Sequence, residues 1–157
     1  MEENLYFSSA LHPYQFEIQN ITYPERLLTV QELEVTRYGQ LEKTPLIWVD
    51  TVEKLSKKLN LFNCFVELLS ETLRNCTEFA VDLEHHDYRS YLGFTCLIQI
   101  STRFEDYVID ALELRHELYI LNVSFSDPNI LNVFHGAEMD IIWLQRGMRC
   151  LLILICL

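Results

Sequence analysis

The chain has 157 residues, a length that suits a single domain. Half of its residues are apolar and it holds only four glycines and four prolines, so its composition predicts a folded core and excludes extensive disorder. The net charge of -11 excludes capture of nucleic acid by charge alone, although a carboxylate site can bind a divalent metal ion that offsets phosphate repulsion.

The first 45 residues contain three of the four prolines and show no sustained hydrophobic period. We predict that residues 1–45 form an extended arm that lies over the surface of the following domain. Its candidate anchors are the aromatic side chains of Tyr14, Phe16 and Tyr23. Residues 46–147 are predicted to form the folded domain, and residues 148–157 an apolar tail.

A short strand is predicted over residues 45–50, and a long amphipathic helix follows it. Apolar residues recur there in alternating steps of three and four, which places them on one face of a helix. This stripe consists of Val52, Leu55, Leu59, Phe62, Val66, Leu69 and Leu73. A helix packed on a sheet is the favoured interpretation. A coiled-coil partner is the alternative, but the charges along the helix form no convincing pairing code.

Three strands are predicted next, over residues 78–84, 95–101 and 106–110. Side chains alternate along a strand, so Asp82 and Glu84 share one face while Val81 and Leu83 share the other. Gly93 marks a turn between the first two strands, and residues 102–105 are few enough for a hairpin. These short connections predict that the three strands are antiparallel.

A helical pattern over residues 112–121, a strand ending at His135 and a helix over residues 137–146 complete the predicted domain. The helical stripe consists of Leu114, Leu118 and Leu121. The crossover should make the last strand parallel to a neighbour. The predicted fold class is α/β, with a mixed sheet and helices packed on its faces.

The two acids of the predicted strand over residues 78–84 require an explanation, because two bare carboxylates side by side repel each other. A hard cation such as Mg²⁺ prefers oxygen ligands, so Asp82 and Glu84 are candidate metal ligands. The alternative is an exposed strand edge that carries acids. Asp140 follows one helical turn after Gly136, where a lone aspartate is usually solvated. His135 has no neighbours at zinc-ligand spacing and is predicted to support the turn.

The five cysteines form no CxxC pair and no regular spacing. They therefore predict buried thiols in a reducing compartment, without a disulfide framework or a zinc site. No apolar run reaches membrane-spanning length, and the N-terminus is too polar for a secretory signal. We expect a soluble intracellular protein that has no membrane partner.

Several blocks stand in order between Phe79 and Gln145, namely "DLEHH", "YRSYLG", "TCLIQIST" and "VFHGAEMDIIWLQ". This run resembles the RNase D branch of the DEDD 3′→5′ exonucleases, and within it the exonucleases of the nuclear RNA exosome. The resemblance implies an RNase H-like mixed sheet, with three antiparallel strands plus a parallel strand, flanked by helices. Residues 46–147 would then be part of an RNase D-type exonuclease domain.

The resemblance also implies that Asp82, Glu84 and Asp140 bind two divalent ions, expected to be Mg²⁺, and hydrolyse phosphodiesters by a two-metal mechanism. The implied substrate-binding residues are Leu83, His85, His86, Tyr88 and Arg89. The first two match positions near the terminal nucleotide, whereas a polar rim on the loop is an equal alternative for the other three. RNA 3′ ends are the implied substrate, and the RNA exosome core with its cofactors are the implied partners. The implied location is the nucleus and nucleolus.

The chain departs from this family after "WLQR". Residues 146–157 contain neither an acid nor a tyrosine, whereas the family has a final aspartate and a tyrosine that orients the attacking water. We therefore predict a C-terminally truncated domain with impaired turnover. The tail "CLLILICL" is apolar and β-prone, so it either fills the place of the next strand or stays unpaired.

Two other functions are alternatives to this one. The first is a catalytically inactive fragment that binds RNA or an exosome partner. The second is a DNA-directed exonuclease of the same superfamily, against which the blocks "DLEHH" and "TCLIQIST" argue.

Overall fold

The computed structural model describes residues 15–29, 37, 39–50, 65–148 and 155–156. The helices are α1 (Gln15–Asn20), α2 (Glu25–Leu28), α3 (Phe65–Arg74), α4 (Asn122–Phe125) and α5 (Glu138–Met148). The strands are β1 (Leu46–Val49), β2 (Glu78–His86), β3 (Phe94–Ser101), β4 (Asp106–Asp110), β5 (Leu131–Val133) and β6 (Ile155–Cys156). Short 3₁₀ turns lie at Leu41–Lys43 and Leu118–Leu121. Among these elements, no helix is long and apolar enough to cross a bilayer.

The strands form one six-stranded sheet in the order β1-β4-β3-β2-β5-β6. β2, β3 and β4 are antiparallel neighbours, and β5 lies parallel to β2 on its other side. This arrangement confirms the predicted mixed sheet. β1 extends it at one edge by pairing parallel with β4, and β6 extends the other edge by pairing parallel with β5. The tail therefore takes the place of the next strand over Ile155–Cys156.

The sheet has one buried face because apolar residues alternate with polar ones along its strands. In β2, Val81 and Leu83 are buried, whereas Asp82 and Glu84 are exposed, as predicted. The buried face continues across the sheet through Val49, Phe79, Ile98, Ile100, Tyr107 and Ile109. The opposite face, which carries the two acids, is called the open face below.

Helices α3, α4 and α5 pack on the buried face of the sheet. They contribute Val66, Leu69, Leu73, Phe125, Leu144 and Met148 to the core. The rings of Phe79 and Phe125 meet edge to face, with 5.2 Å between their centroids. Helix α3 thus forms from the second half of the predicted stripe, and residues 51–64 of that helix prediction lie outside the described residues.

The N-terminal arm is not extended throughout, because it contains the two short helices α1 and α2. The side chain of Asn20 donates to the carbonyl of Phe16 (2.7 Å) at the end of α1, which supports helical rather than extended chain. Phe16 is 74% exposed and does not act as an anchor. A hydrogen bond from the Arg26 guanidinium to the carbonyl of Asn129 (2.6 Å) ties the arm to the loop before β5. Tyr14 lies outside the described residues.

Residues 111–121 form turns and the second 3₁₀ turn instead of the predicted helix, although the three leucines of the stripe are buried as expected. The Asp110 carboxylate accepts the backbone N–H groups of Leu112 and Glu113 at 3.0 and 3.1 Å, which starts a tight turn directly after β4. Beyond it, the N–H of Glu117 donates to the carbonyl of Leu114, a 3₁₀-type bond. The spacing of the leucines suits an α-helix and a 3₁₀ turn equally, so the sequence pattern does not distinguish the two.

Candidate active site

Asp82, at the middle of β2, and Glu84, two residues further on, lie exposed on the open face. Asp82 stands opposite Gln99 of β3, and Glu84 stands opposite Leu97. The register then shifts, because His85 pairs with Thr95 and leaves Cys96 as the extra residue of a bulge. A β-bulge increases strand twist and redirects side chains, a feature common beside active sites.

Asp140 lies in the first turn of α5, which begins soon after β5. Since β5 runs parallel to β2, the start of α5 comes beside the carboxyl end of β2. The Asp140 side chain is buried, and its carboxylate lies close enough to the backbone N–H of Leu83 for that dipole to lower its pKa. The structure therefore joins the third predicted acid to the strand that carries the first two.

The charges of these acids interact. Burial raises the pKa of Asp140 above its usual value, and the nearby carboxylates of Asp82 and Glu84 raise it further. The nearby backbone N–H groups of Asp140 itself and of Leu83 partly oppose this shift in the pKa. A positive charge close to the three carboxylates would relieve their repulsion.

The donor set suits a hard divalent cation, because all three side chains offer carboxylate oxygens. Within the described ranges, however, no three His, Cys, Asp or Glu side chains are arranged so that they could hold a metal ion. Asp82, Glu84 and Asp140 thus interact electrostatically without forming a closed ligand cluster.

A cavity of about 390 Å³ lies beside Asp82, between β2, β3 and β5. Gln99, Ser101 and the exposed His135 line it together with Asp82. Gln99 and Ser101 were absent from the sequence-based site. The alternation in "TCLIQIS" is the signal that places both on the face of Asp82 and Glu84.

The predicted substrate-binding residues divide between two surfaces. Leu83 points to the buried face and lines a second cavity, of about 310 Å³, together with His85, Trp143 and Arg146. The His85 imidazole stacks on the Trp143 indole, with 4.4 Å between the ring centroids and 1° between the ring planes. Trp143 was not a predicted site residue, and no local pattern in the sequence links it to His85.

Gly93 makes room for this stack. It has a φ of +66°, and a Cβ at this position would lie 2.1 Å from Cε1 of His85. Such an approach is far below van der Waals contact, so only glycine fits there without a shift. His85 is therefore confined between the β2–β3 loop and α5.

His86 is instead the exposed last residue of β2, and Tyr88 and Arg89 lie on the exposed β2–β3 loop. The His86 ring is tilted against Phe94, with 5.2 Å between centroids. The Arg89 guanidinium lies over the Tyr88 ring at 5.0 Å, within cation–π range. These three side chains are near the end of β2 but do not share the cavity that Leu83 and His85 line.

Comparison with known proteins shows what this chain is similar to. Residues 63–154 match a family model described as 3′–5′ exonuclease. The chain is 49% identical over 135 residues to the human exosome complex component 10, and the match covers 86% of this chain and 14% of that protein. It is 49% identical over 137 residues to the exosome complex exonuclease RRP6 of Saccharomyces cerevisiae, covering 87% of this chain and 17% of that protein.

A solved structure gives the same result. The crystal structure of the catalytic core of RRP6 from Trypanosoma brucei matches with a TM-score of 0.77 and 40% identity, over 93% of this chain and 37% of that one. The chain spans about one seventh of the length of the human relative.

Proposed function

Because the chain belongs to the 3′–5′ exonuclease family, as its motifs predict, we propose that it supplies the acidic site of a 3′–5′ exoribonuclease. The observation that carries the proposal is the electrostatic coupling of Asp140 with Asp82 and Glu84 where α5 meets β2. The proposed substrate is the 3′ end of RNA, and the proposed products are nucleoside monophosphates. The names of the relatives support an exosome partner. We place the activity in RNA processing and decay in the nucleus and nucleolus.

In this proposal, Asp82, Glu84 and Asp140 bind the divalent ions, two in the complete site and expected to be Mg²⁺. The ions would supply the positive charge that activates a water molecule and stabilises the departing 3′ oxygen. The protein's contribution is position. Asp140 lies in the first turn of α5, and its pKa responds to the backbone of Leu83 and to the charges of Asp82 and Glu84, which supports a role as the third ligand.

Leu83 and His85 are proposed to contact the terminal nucleotide. Both line the cavity of about 310 Å³, where Arg115 and Arg146 add positive charge. Cationic side chains beside an otherwise apolar cavity suit a nucleotide, since the base enters the apolar part and the phosphate meets the guanidinium groups.

A second candidate function is binding of RNA or of an exosome partner without turnover. It is favoured by the lack of a closed metal-ligand cluster among the residues that the structure describes. The two functions differ in whether the three carboxylates can gather around metal ions when RNA is bound.

The test is to incubate the 157-residue chain with 5′-labelled single-stranded RNA and Mg²⁺, with and without a chelator, and to resolve the products on a gel. Catalysis predicts stepwise shortening from the 3′ end that is lost on chelation and in Asp82→Asn. Asp106→Asn is the matched control, because Asp106 lies two strands away from β2 in the sheet. The same assay with single-stranded DNA shows whether the chain acts on RNA or on DNA.

The outcomes divide the hypotheses. RNA binding without shortening would favour the non-catalytic function. Shortening that persists unchanged in Asp82→Asn would exclude this site as the catalytic one. Equal or faster shortening of DNA would overturn the assignment of RNA as the substrate.

A further inference from the structure

The β2–β3 loop, residues 87–93, presents aromatic rings to solvent directly beyond the strand that carries Asp82 and Glu84. Tyr91 is fully exposed, and Tyr88 is 68% exposed. Large apolar side chains usually lose solvent contact on folding, and a cluster that does not do so indicates a binding surface. Leu92 extends the exposed surface of this loop.

The loop has a defined conformation. The N–H of Ser90 donates to the carbonyl of Asp87 (3.2 Å), and the N–H of Gly93 donates to the Ser90 hydroxyl (3.2 Å). Arg89 has a φ of 61°, in the left-handed region that non-glycine residues rarely adopt. This conformation places its guanidinium over the Tyr88 ring. A ligand that binds these rings therefore loses little free energy to ordering of the loop.

The charges of the loop show how such a ligand would be held. Arg89 is its one cation and Asp87 is an acid, and the whole chain carries a net charge of -11. A track of phosphate contacts is therefore not available on this loop. Aromatic faces and a guanidinium plane are instead the groups on which unpaired bases stack.

We propose that the β2–β3 loop is a stacking platform for unpaired bases of single-stranded RNA, with Tyr88 and Tyr91 as the stacking residues and Arg89 as their partner. The proposal rests on the proposed function, because an RNA whose 3′ end reaches Asp82 and Glu84 passes the loop that follows the same strand. The bases held by the platform belong to nucleotides upstream of the terminal one. Recognition through base faces tolerates any sequence and excludes paired bases.

The experiment measures RNA binding by the full chain in the presence of a chelator, so that no turnover is needed. A short 5′-fluorescein-labelled oligoadenylate is titrated, and its fluorescence anisotropy gives the dissociation constant. Replacement of Tyr88 and Tyr91 by alanine should weaken binding by about fivefold to about a hundredfold for each ring removed. Phe104→Ala is the matched control, because this ring is also strongly exposed but lies in the β3–β4 turn at the other end of β3.

A second arm tests stacking itself. The parent chain should bind an oligonucleotide with abasic sites upstream of its 3′ end more weakly than the base-bearing one. The tyrosine double variant should bind that abasic oligonucleotide only slightly more weakly than the parent does. The loop contains one cation, Arg89. Its contribution to the affinity for RNA should therefore depend on salt as expected for about one neutralised phosphate. Duplex RNA should not compete.

Three results would overturn the platform. The first is that the double variant binds the base-bearing oligonucleotide as tightly as the parent does. The second is that the abasic oligonucleotide binds as tightly as the base-bearing one, which would leave a protein as the occupant of the loop. The third is that the parent binds neither oligonucleotide. Failure of RNA trimming would count only against the proposed catalytic function, since this measurement contains no cleavage step.

Discussion

The imidazole of His85 lies parallel to the indole of Trp143, with 4.4 Å between their centroids. His85 follows Glu84 on β2, and Trp143 lies about one helical turn after Asp140 on α5. The stack therefore sets the separation between the strand that carries two candidate ligands and the helix that carries the third. It acts where Asp140 approaches the backbone N–H of Leu83.

Removal of the indole tests this contact. We expect Trp143→Ala to lower the free energy of unfolding by about 2 to 4 kcal/mol, because the ring packs against the core as well as against His85. Trp143→Phe keeps an aromatic partner for the imidazole and should cost less. Urea unfolding followed by circular dichroism measures both. Trp48→Phe is the control at a half-exposed indole on the open face, and a comparable loss there would contradict a specific role for the stack.

Gly93→Ala should destabilise the chain more than Gly136→Ala does. Both glycines have a positive φ, +66° and +65°, so alanine pays a backbone cost of about 1 to 2 kcal/mol at each. Only at position 93 does the new Cβ also overlap the His85 ring, whereas at position 136 no atom lies within 4 Å. Thermal unfolding of the two variants gives the comparison. Equal losses would show that the His85 ring moves aside without cost.

Asp140→Asn should preserve or raise stability at neutral pH when no divalent cation is present. The pKa of Asp140 is raised in the folded chain, so the folded state holds this proton more tightly than the unfolded state does. Stability is then lost as the pH rises from the usual aspartate range through the raised pKa. Asparagine carries no charge, so the variant does not lose stability in this way as the pH rises.

The same pair of proteins reports on metal binding. Mg²⁺ should raise the melting temperature of the parent chain, because a ligand that binds only the folded state stabilises it. The rise should be smaller in Asp140→Asn. Measurements in chelator and in Mg²⁺, at pH values from the acid range to neutral, separate the two effects. An equal Mg²⁺ response in both proteins would remove Asp140 from the ligand set.

Tyr107 should make the folded chain sensitive to alkali. Burial, followed by its hydrogen bond to Glu105 (2.5 Å), raises the pKa of Tyr107 from 10.0 to about 12. Between these values the unfolded chain loses the phenolic proton and the folded chain keeps it, so stability falls as the pH rises from about 10 to about 12. The full loss is roughly 2 to 3 kcal/mol. In Tyr107→Phe, denaturant unfolding across this range should show a shallower decline, and an unchanged slope would contradict the assignment.

The central strands could be predicted from the sequence because burial on one face leaves a period of two. The alternation in "EFAVDLE" places Val81 inside and Asp82 outside, and the structure agrees. The turns after β4 could not be predicted in the same way. Leucines spaced for a helix also suit 3₁₀ turns, and the bonds from the Leu112 and Glu113 N–H groups to the Asp110 side chain can begin either one.

The acids of the candidate site could be located because they belong to a contiguous motif and to a resemblance. Their surroundings could not. The stack between His85 and Trp143 joins two elements that are remote in sequence, and neither residue shows a local pattern that reveals the other. The division of Leu83 and His86 between separate surfaces follows the simple alternation along β2. The bulge at Cys96 of β3, beside His85, leaves no such periodic signal in the sequence.

The order of the sheet has a consequence for how the domain folds. β2, β3 and β4 are joined by short connections, so their hairpins close with little loss of chain entropy, whereas β5 reaches β2 only after a long excursion. We expect Asp82 and Glu84 to enter ordered structure early and Asp140 to join them only when β5 and α5 dock. Partial unfolding should run in the reverse order, so the three acids separate while the hairpins still persist.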